Sequence, residues 1–179
     1  MDSGHRKKGV EMKPSRLWIY RLVTRVLPET RCFNFKACLL RWCGATVGTN
    51  VRISSSAEFL GAGDLFIGDD VWIGHQCFIS PIIGSSVTIG SYCDIGPKVM
   101  VLTGTHEIAT HGLHIAGKGI GASVGIGDGC WIGAGAIVLP GVKLLGKTVV
   151  AAGSVVATSS QHESILMAGV PATEKKIYK

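Results

Sequence analysis

The sequence predicts an all-β fold in which short strands wind into a triangular coil. Two observations carry this prediction: glycine makes up 25 of the 179 residues, and aliphatic residues recur every six positions. Glycine is about twice as frequent as in an average protein, which prompts a search for internal repeats. A period of six fits neither a helix nor the two-residue alternation of a strand. We therefore expect six-residue units, each with one flat side and one corner, three of which close a coil.

The first element is a basic amino-terminal segment, residues 1–45. Residues 1–52 hold eleven Lys and Arg and three acidic residues, a net charge of +8, whereas residues 53–179 have a net charge of −2. Two apolar groups at helical spacing predict one or two short amphipathic helices. They are Leu17, Trp18, Leu22, Val26 and Leu27, ended by Pro28, and then Phe33, Ala37, Leu40 and Trp42. Two roles are open: covering the end of the coil, or touching an anionic membrane surface.

The coil itself is predicted over residues 46–158. Its clearest stretch is a ladder of aliphatic residues six positions apart: Ile126, Ile132, Val138, Leu144, Val150 and Val156. A smaller residue follows each ladder residue by four positions, and three of these smaller residues are Cys77, Cys93 and Cys130. We expect both sets to point into the coil, with the three cysteines as small apolar packing residues.

Composition also excludes several classes of protein. Only 7% of residues are aromatic, so few side chains are available for stacking on bases, and no nucleic-acid partner is expected. The chain shows neither an apolar run of membrane-spanning length nor a signal-peptide pattern. None of the six cysteines forms a Cys-x-x-Cys pair. We therefore expect a cytoplasmic protein with reduced thiols, placed at the inner face of the membrane if the basic segment binds lipid.

The six-residue ladder lapses over residues 103–123, which are predicted to form a projecting loop. This stretch holds three histidines, His106, His111 and His114, and ends in a run of spaced glycines. A long loop inside so regular a repeat is usually functional. We expect its glycines to give flexibility beside a functional site.

Three segments carry a resemblance to a known family. They are Thr103-Gly-Thr-His106 at the head of the loop, the stretch from Val124 to Val142 with its Ile-Gly repeats, and Gly169-Val-Pro-Ala172 in a carboxy-terminal tail, residues 159–179. With the repeat, they resemble the hexapeptide-repeat acyltransferases over about residues 46–175. The match is best to maltose and galactoside O-acetyltransferases and to members that act in capsular or exopolysaccharide biosynthesis.

This resemblance implies a left-handed parallel β-helix and an acetyl-CoA-dependent O-acetyltransferase that modifies a sugar hydroxyl, with no metal. It also implies that His106 is the general base, because a hydroxyl is a poor nucleophile until its proton is removed. An imidazole with an ordinary pKa of about 6.5 is largely neutral at cytoplasmic pH and suits that role. Glu107 is a candidate for orienting it.

The resemblance further implies where the two substrates bind. Gln76 stands where the family has an acceptor-binding asparagine, so its longer side chain puts the identity of the acceptor in doubt, and Trp131 matches a tryptophan beside the site. Ala134 and Ala152, one full coil apart, match positions along the acetyl-CoA pantetheine arm. Lys176 matches a basic residue near the nucleotide phosphates. These sites lie between the subunits of a homotrimer in this family.

Two other functions compete with acetyl transfer. His75, His106 and His111 form the residue set of a three-histidine zinc site, as in γ-class carbonic anhydrases, which share the fold. Alternatively, the coil is a non-catalytic scaffold subunit. That second interpretation leaves the histidine-bearing loop without a role.

Overall fold

The computed structural model describes residues 11–178 and shows a left-handed parallel β-helix preceded by two short helices. Helix α1 spans Pro14–Thr24 and helix α2 spans Phe33–Trp42. The predicted fold class is therefore confirmed. Of the predicted amino-terminal segment and tail, residues 1–10 and residue 179 lie outside the described part of the chain. Between residues 11 and 178, no helix combines the length and apolar character needed to cross a bilayer.

Five coils make up the β-helix, and each contributes one strand to each of three parallel sheets, which we call faces 1, 2 and 3. Face 1 contains β1 (Thr46–Val47), β4 (Asp64–Ile67), β7 (Ser86–Ile89), β12 (Val124–Ile126) and β15 (Lys143–Leu144). Face 2 contains β2 (Arg52–Ile53), β5 (Trp72–Ile73), β8 (Asp94–Ile95), β13 (Trp131–Ile132) and β16 (Val149–Val150). Face 3 contains β3 (Glu58–Phe59), β6 (Phe78–Ser80), β9 (Met100–Leu102), β14 (Ile137–Val138) and β17 (Val155–Val156).

The interior of the coils holds the residues that the six-residue period selects. Every ladder residue from Ile126 to Val156 is buried, and Cys77, Cys93 and Cys130 are buried beside them as predicted. Each fully buried aliphatic side chain contributes about 1.5–3 kcal/mol relative to an exposed one, so the stacked interior is the main source of stability. All six cysteines are free thiols. Burial raises the pKa of the Cys77 thiol to about 11.

The two helices cover the open end of the first coil, in agreement with one of the two predicted roles. Leu17 and Tyr20 of α1 are buried, and the Tyr20 ring meets the Phe59 ring edge-on at 5.7 Å between centroids. The apolar residues of α1 are divided between two sides of the helix. Trp18 and Leu22 face solvent, because the first coil selects Leu17, Tyr20 and Thr24 for the inner face.

The projecting loop is an ordered antiparallel hairpin of β10 (Gly104–Ile108) and β11 (Ala116–Gly121). It leaves the helix at the corner between face 3 and face 1, after the third coil. Its glycines lie in a paired strand, which corrects the expectation that they act as flexible links. The hairpin forms locally, so its two strands need no support from the six-residue period.

The predicted tail forms two further strands of face 2. Strand β18 (Ile165–Gly169) pairs in parallel with β16, and β19 (Ala172–Ile177) returns antiparallel to β18. Ile165, Met167 and Ala172 are buried in this arrangement. The last coil is therefore closed by a hairpin on one face, with its basic residues along the outer edge.

Candidate active site

A buried hydroxyl network holds the root of the hairpin. Thr103, which is fully buried, donates a hydrogen bond from Oγ1 to the Ser80 carbonyl at 3.2 Å and accepts one from the Ile82 N–H at 2.8 Å. The Ser85 hydroxyl lies 2.6 Å from the same oxygen. These partners belong to the corner of the coil above, so the hairpin starts from a fixed point.

The side chain of Ile82 then sets how closely the hairpin approaches the helix. Gly104 and Gly121 pair across the two hairpin strands, and a Cβ built on either would lie 3.1 Å from an Ile82 side-chain carbon. A Cβ at either glycine would be tightly packed, so either the Ile82 side chain or the hairpin would have to shift by a few tenths of an ångström. The glycines therefore permit a close approach rather than flexibility.

With the hairpin packed against Ile82, the His106 side chain lines an open cleft. His106 is exposed on β10 opposite Gly119, and a Cβ at Gly119 would lie 3.9 Å from the imidazole Nε2. The cleft has a volume of about 360 Å³ and is also lined by Ser80, Ile82 and Leu102. One edge of the imidazole thus faces bare backbone and space for a substrate.

The other polar residues of the hairpin do not assist His106 in a single chain. Glu107 follows His106 on the same strand, and successive residues of a strand point to opposite sides. Within residues 11–178, no side chain hydrogen-bonds to the His106 imidazole. His111 and His114 lie exposed in the turn between the two strands.

The two predicted donor-site alanines lie at the corner between faces 2 and 3. Ala134 and Ala152 occupy matching positions on the fourth and fifth coils, and both are exposed. Each is followed by a glycine with positive φ, Gly135 at 69° and Gly153 at 70°, and nothing lies within 4 Å of a Cβ built on either glycine. The corner is therefore a flat strip of backbone that an extended ligand chain can follow.

The same corner carries larger polar residues on the coils above. Gln76 lies there on the second coil with φ of 55°, and its N–H donates to the Ser56 hydroxyl at 3.1 Å. It borders a cavity of about 230 Å³, where helix α1 supplies Arg21 and Arg25. Arg21 is held 3.7 Å from the Glu58 carboxylate. The predicted acceptor residue thus lies beside the basic helix, a proximity that the sequence did not indicate.

A second contact missed from the sequence fixes the neighbouring histidine. The Glu29 carboxylate lies 3.1 Å from Nδ1 of His75 and accepts hydrogen bonds from the Ser56 N–H and hydroxyl, both at 3.1 Å. Partial burial opposes ionisation of Glu29, but these bonds together hold the pKa of its carboxyl below the usual range. Glu29 and His75 are 46 positions apart, so only the folded coil brings them together.

Trp131 and Lys176 both lie on face 2. Trp131 is 58% exposed on β13, with Asp94 and Val149 as its neighbours on adjacent strands. Lys176 is on β19 opposite Leu166, and its Nζ lies 5.1 Å from the centre of the Tyr178 ring. Face 2 and its corner with face 3 thus carry every predicted site residue except His106.

The structure therefore separates the predicted site into two parts. The hairpin with His106 leaves one edge of face 3, and the strip with Ala134 and Ala152 lies at the other edge. One side of the coil separates them, on the order of 15–20 Å for a strand and its corners. A single chain does not bring the two parts together.

The three histidines of the competing zinc interpretation are also apart. His75 is held by Glu29 at the corner between faces 2 and 3, whereas His106 and His111 belong to the hairpin at the far edge of face 3. Across residues 11–178, no three His, Cys, Asp or Glu side chains lie close enough together to hold a metal ion.

Comparisons with known proteins agree with this fold. A family model described as hexapeptide repeat of succinyl-transferase matches residues 123–157, on the fourth and fifth coils. WcaF of Escherichia coli K12, provisionally described as a colanic acid biosynthesis acetyltransferase, is 32% identical over 78 residues. That alignment covers 44% of this chain and 42% of WcaF, so the match spans less than half of the relative.

Solved structures extend the similarity to nearly the whole chain. A hexapeptide-repeat acetyltransferase from Vibrio cholerae O1 biovar eltor, complexed with acetyl coenzyme A, is 23% identical with a TM-score of 0.67, covering 93% of this chain and 87% of that chain. A galactoside acetyltransferase bound to coenzyme A is 20% identical with a TM-score of 0.62, covering 92% and 80%. At these identities the likeness shows the fold. Together, the repeat, WcaF and these structures confirm the resemblance drawn from the sequence.

Proposed function

We propose that the protein transfers an acetyl group from acetyl-CoA to a sugar hydroxyl, with His106 as general base. The observation that carries the proposal is the hairpin. A buried root at Thr103 and close seating on Ile82 place an unencumbered imidazole beside an open cleft. The similarity to acetyltransferases that bind acetyl-CoA or coenzyme A supports the same chemistry.

The reaction needs one proton transfer and no covalent enzyme intermediate. The imidazole of His106 takes the proton of the acceptor hydroxyl as the hydroxyl oxygen forms a bond to the thioester carbonyl carbon. The carbon–sulfur bond then breaks, and the proton passes to the coenzyme A sulfur. General-base assistance of this kind contributes about 10²–10⁴-fold in rate. A backbone N–H at the coil corner would stabilise the oxyanion that forms at the carbonyl.

The corner between faces 2 and 3 is the proposed donor site. Exposed backbone at Ala134 and Ala152, with open space above the following glycines, fits the narrow pantetheine arm of acetyl-CoA. Lys176 at the outer edge of face 2 is the proposed contact of the nucleotide phosphates.

The acceptor is proposed to be a saccharide of polysaccharide biosynthesis. Gln76 offers an amide with both donor and acceptor atoms, and Trp131 offers an exposed ring against which the apolar face of a sugar packs. The relation to WcaF, which is named for colanic acid biosynthesis, supports this substrate class. We place the protein in the cytoplasm, where acetyl-CoA is made.

We further propose a homotrimer in which each site lies between two chains. The hairpin of one chain and the corner strip of the next would then meet, which would unite two parts that lie at opposite edges of face 3 in a single chain. The hairpin also exposes apolar side chains, with Leu113 98% and Ile108 74% exposed, that a neighbouring subunit would cover. A closed ring leaves no such surface unpaired.

The experiment that tests the proposal measures coenzyme A release with a panel of saccharide acceptors. We expect acceptor-dependent release by the wild-type protein and a loss of about 10²–10⁴-fold in the His106→Asn variant. His114→Asn, which changes another exposed histidine of the same hairpin, is the matched control. Wild-type turnover by His106→Asn would refute the role of His106. Failure of the wild-type protein to bind coenzyme A in calorimetry would instead favour a scaffold subunit.

A further inference from the structure

The outer face of helix α1 is apolar, although it is turned away from the coil. Trp18 is 63% exposed, Leu22 44% and Val26, in the turn after the helix, 83%. These three residues are spaced by four and therefore lie above one another on one side of the helix. Ile19, 40% exposed, widens the same surface. We call these four residues the outer stripe.

Covering the end of the coil does not account for the outer stripe. The covering role uses the opposite side of α1, where Leu17, Tyr20 and Thr24 are buried. A helix whose only role is to cap the coil would carry polar residues on its outer side. A group of large apolar side chains at the surface instead marks a site of interaction.

The charge around the outer stripe indicates the kind of partner. Helix α1 contains no acidic residue, and the exposed cations Lys13, Arg25 and Arg31 lie just before it and in the turn that follows. Arg16 donates a hydrogen bond to the Trp42 carbonyl, and Arg21 forms an ion pair with Glu58. Both guanidinium groups are therefore held near the protein surface. The amino-terminal quarter carries eight more positive than negative charges, whereas the rest of the chain is slightly negative.

We propose that the outer stripe and its cations bind the surface of an anionic phospholipid bilayer. The helix would lie parallel to the surface, with the outer stripe in the boundary between headgroups and acyl chains. Trp18 suits that depth, because an indole ring prefers the membrane interface. Lys13, Arg25 and Arg31 would face the anionic headgroups. The inference rests on helix α1 alone and does not depend on the proposed catalytic activity.

The test is co-sedimentation of the full-length protein with two kinds of vesicle, pure phosphatidylcholine and phosphatidylcholine with phosphatidylglycerol. We expect binding to the anionic vesicles at least about tenfold stronger than to the neutral ones, and weaker binding at high salt. The double variant Trp18→Ser/Leu22→Ser should lose about tenfold or more of that binding. The matched control is Tyr92→Ser, which removes an exposed aromatic residue between β7 and β8 and should bind as the wild type does.

Folding and assembly are checked on the same samples. The double variant changes only exposed side chains, so its thermal unfolding should match the wild type. Equal binding to both vesicle types, or unchanged binding by a folded double variant, would overturn the proposal. A double variant whose mass falls in light scattering would also overturn it, because the outer stripe would then be a contact between copies of the chain.

Discussion

The regular coils and the hairpin that projects from them are built on different principles. In the coils, every ladder residue is buried and each strand pairs with its neighbours on the same face. In the hairpin, most residues are exposed, and its connection to the coil lies at its base, around Thr103 and Ile82. The coils thus supply stability, and the hairpin carries the proposed general base. Substitutions in the two regions should therefore affect different properties.

The largest difference in stability is expected between a coil interior and the hairpin tip. Ile132→Ala removes a fully buried ladder residue and should lower the free energy of unfolding by about 2–5 kcal/mol. His111→Ala, at an exposed side chain in the hairpin turn, should change it by less than about 0.5 kcal/mol. Urea denaturation measures both. Equal losses would mean that the hairpin is part of the folding core.

The hairpin root should respond in both stability and activity. Thr103→Val keeps the shape of the side chain but leaves the Ile82 N–H without its acceptor, which costs about 1–3 kcal/mol. Because the root then shifts, acetyl transfer should fall as well. Thr110→Val, at an exposed position near the hairpin turn, is the control for both measurements. Full activity in a destabilised Thr103→Val variant would show that the root does not position His106.

The corner strip should affect the donor substrate alone. Ala134→Leu places a larger side chain on the proposed path of the pantetheine arm. It should raise the KM for acetyl-CoA about tenfold, equivalent to about 1.4 kcal/mol, and leave thermal unfolding unchanged. Steady-state kinetics at saturating acceptor measures this effect. An unchanged KM would remove the strip from the donor site.

The smallest effect is expected where the amino-terminal segment meets the coils. The pKa of Glu29 is lowered in the folded protein, so its contribution to stability is present above the unfolded pKa of about 4.3 and is lost as pH falls below it. Glu29→Gln should cost about 0.5–1 kcal/mol at pH 7, and this cost should decrease as the pH falls below about 4. Glu163→Gln, at an exposed residue, serves as the control. A loss that is independent of pH would contradict the lowered pKa of Glu29.

The sequence predicts burial well where residues of one kind recur in equivalent positions of the coil. Ile126 and Ile132 share the same inward position, so the period alone predicts their burial. The period says nothing about the hairpin, whose pairing of Gly104 with Gly121 is local and antiparallel. The glycine-rich composition of the loop leads to the expectation of flexibility, which is wrong. Composition does not distinguish a flexible loop from a strand that packs closely against Ile82.

Contacts between distant segments escaped prediction for a different reason. Helical spacing grouped Leu17 with Trp18 and Leu22, but which side of α1 is buried depends on the shape of the first coil. The contact of Glu29 with His75 likewise exists only after the amino-terminal segment folds back on the coil. The division of the candidate site between two edges of face 3 follows from the order of strands around the coil. No local sequence pattern indicates any of these three features.

Mixing two inactive variants tests most directly whether the hairpin of one chain completes the donor strip of another. His106→Asn retains an intact strip, and Ala152→Trp retains an intact hairpin. When they are co-expressed in equal amounts with different tags, random assembly pairs a functional hairpin with a functional strip at about one quarter of the sites. A doubly tagged trimer excludes the trimers of a single variant, and one of its three sites pairs a functional hairpin with a functional strip, so we predict recovery of about one third of wild-type activity in it. Isolation of that mixed oligomer with no activity above the separate variants would contradict a site shared between two chains.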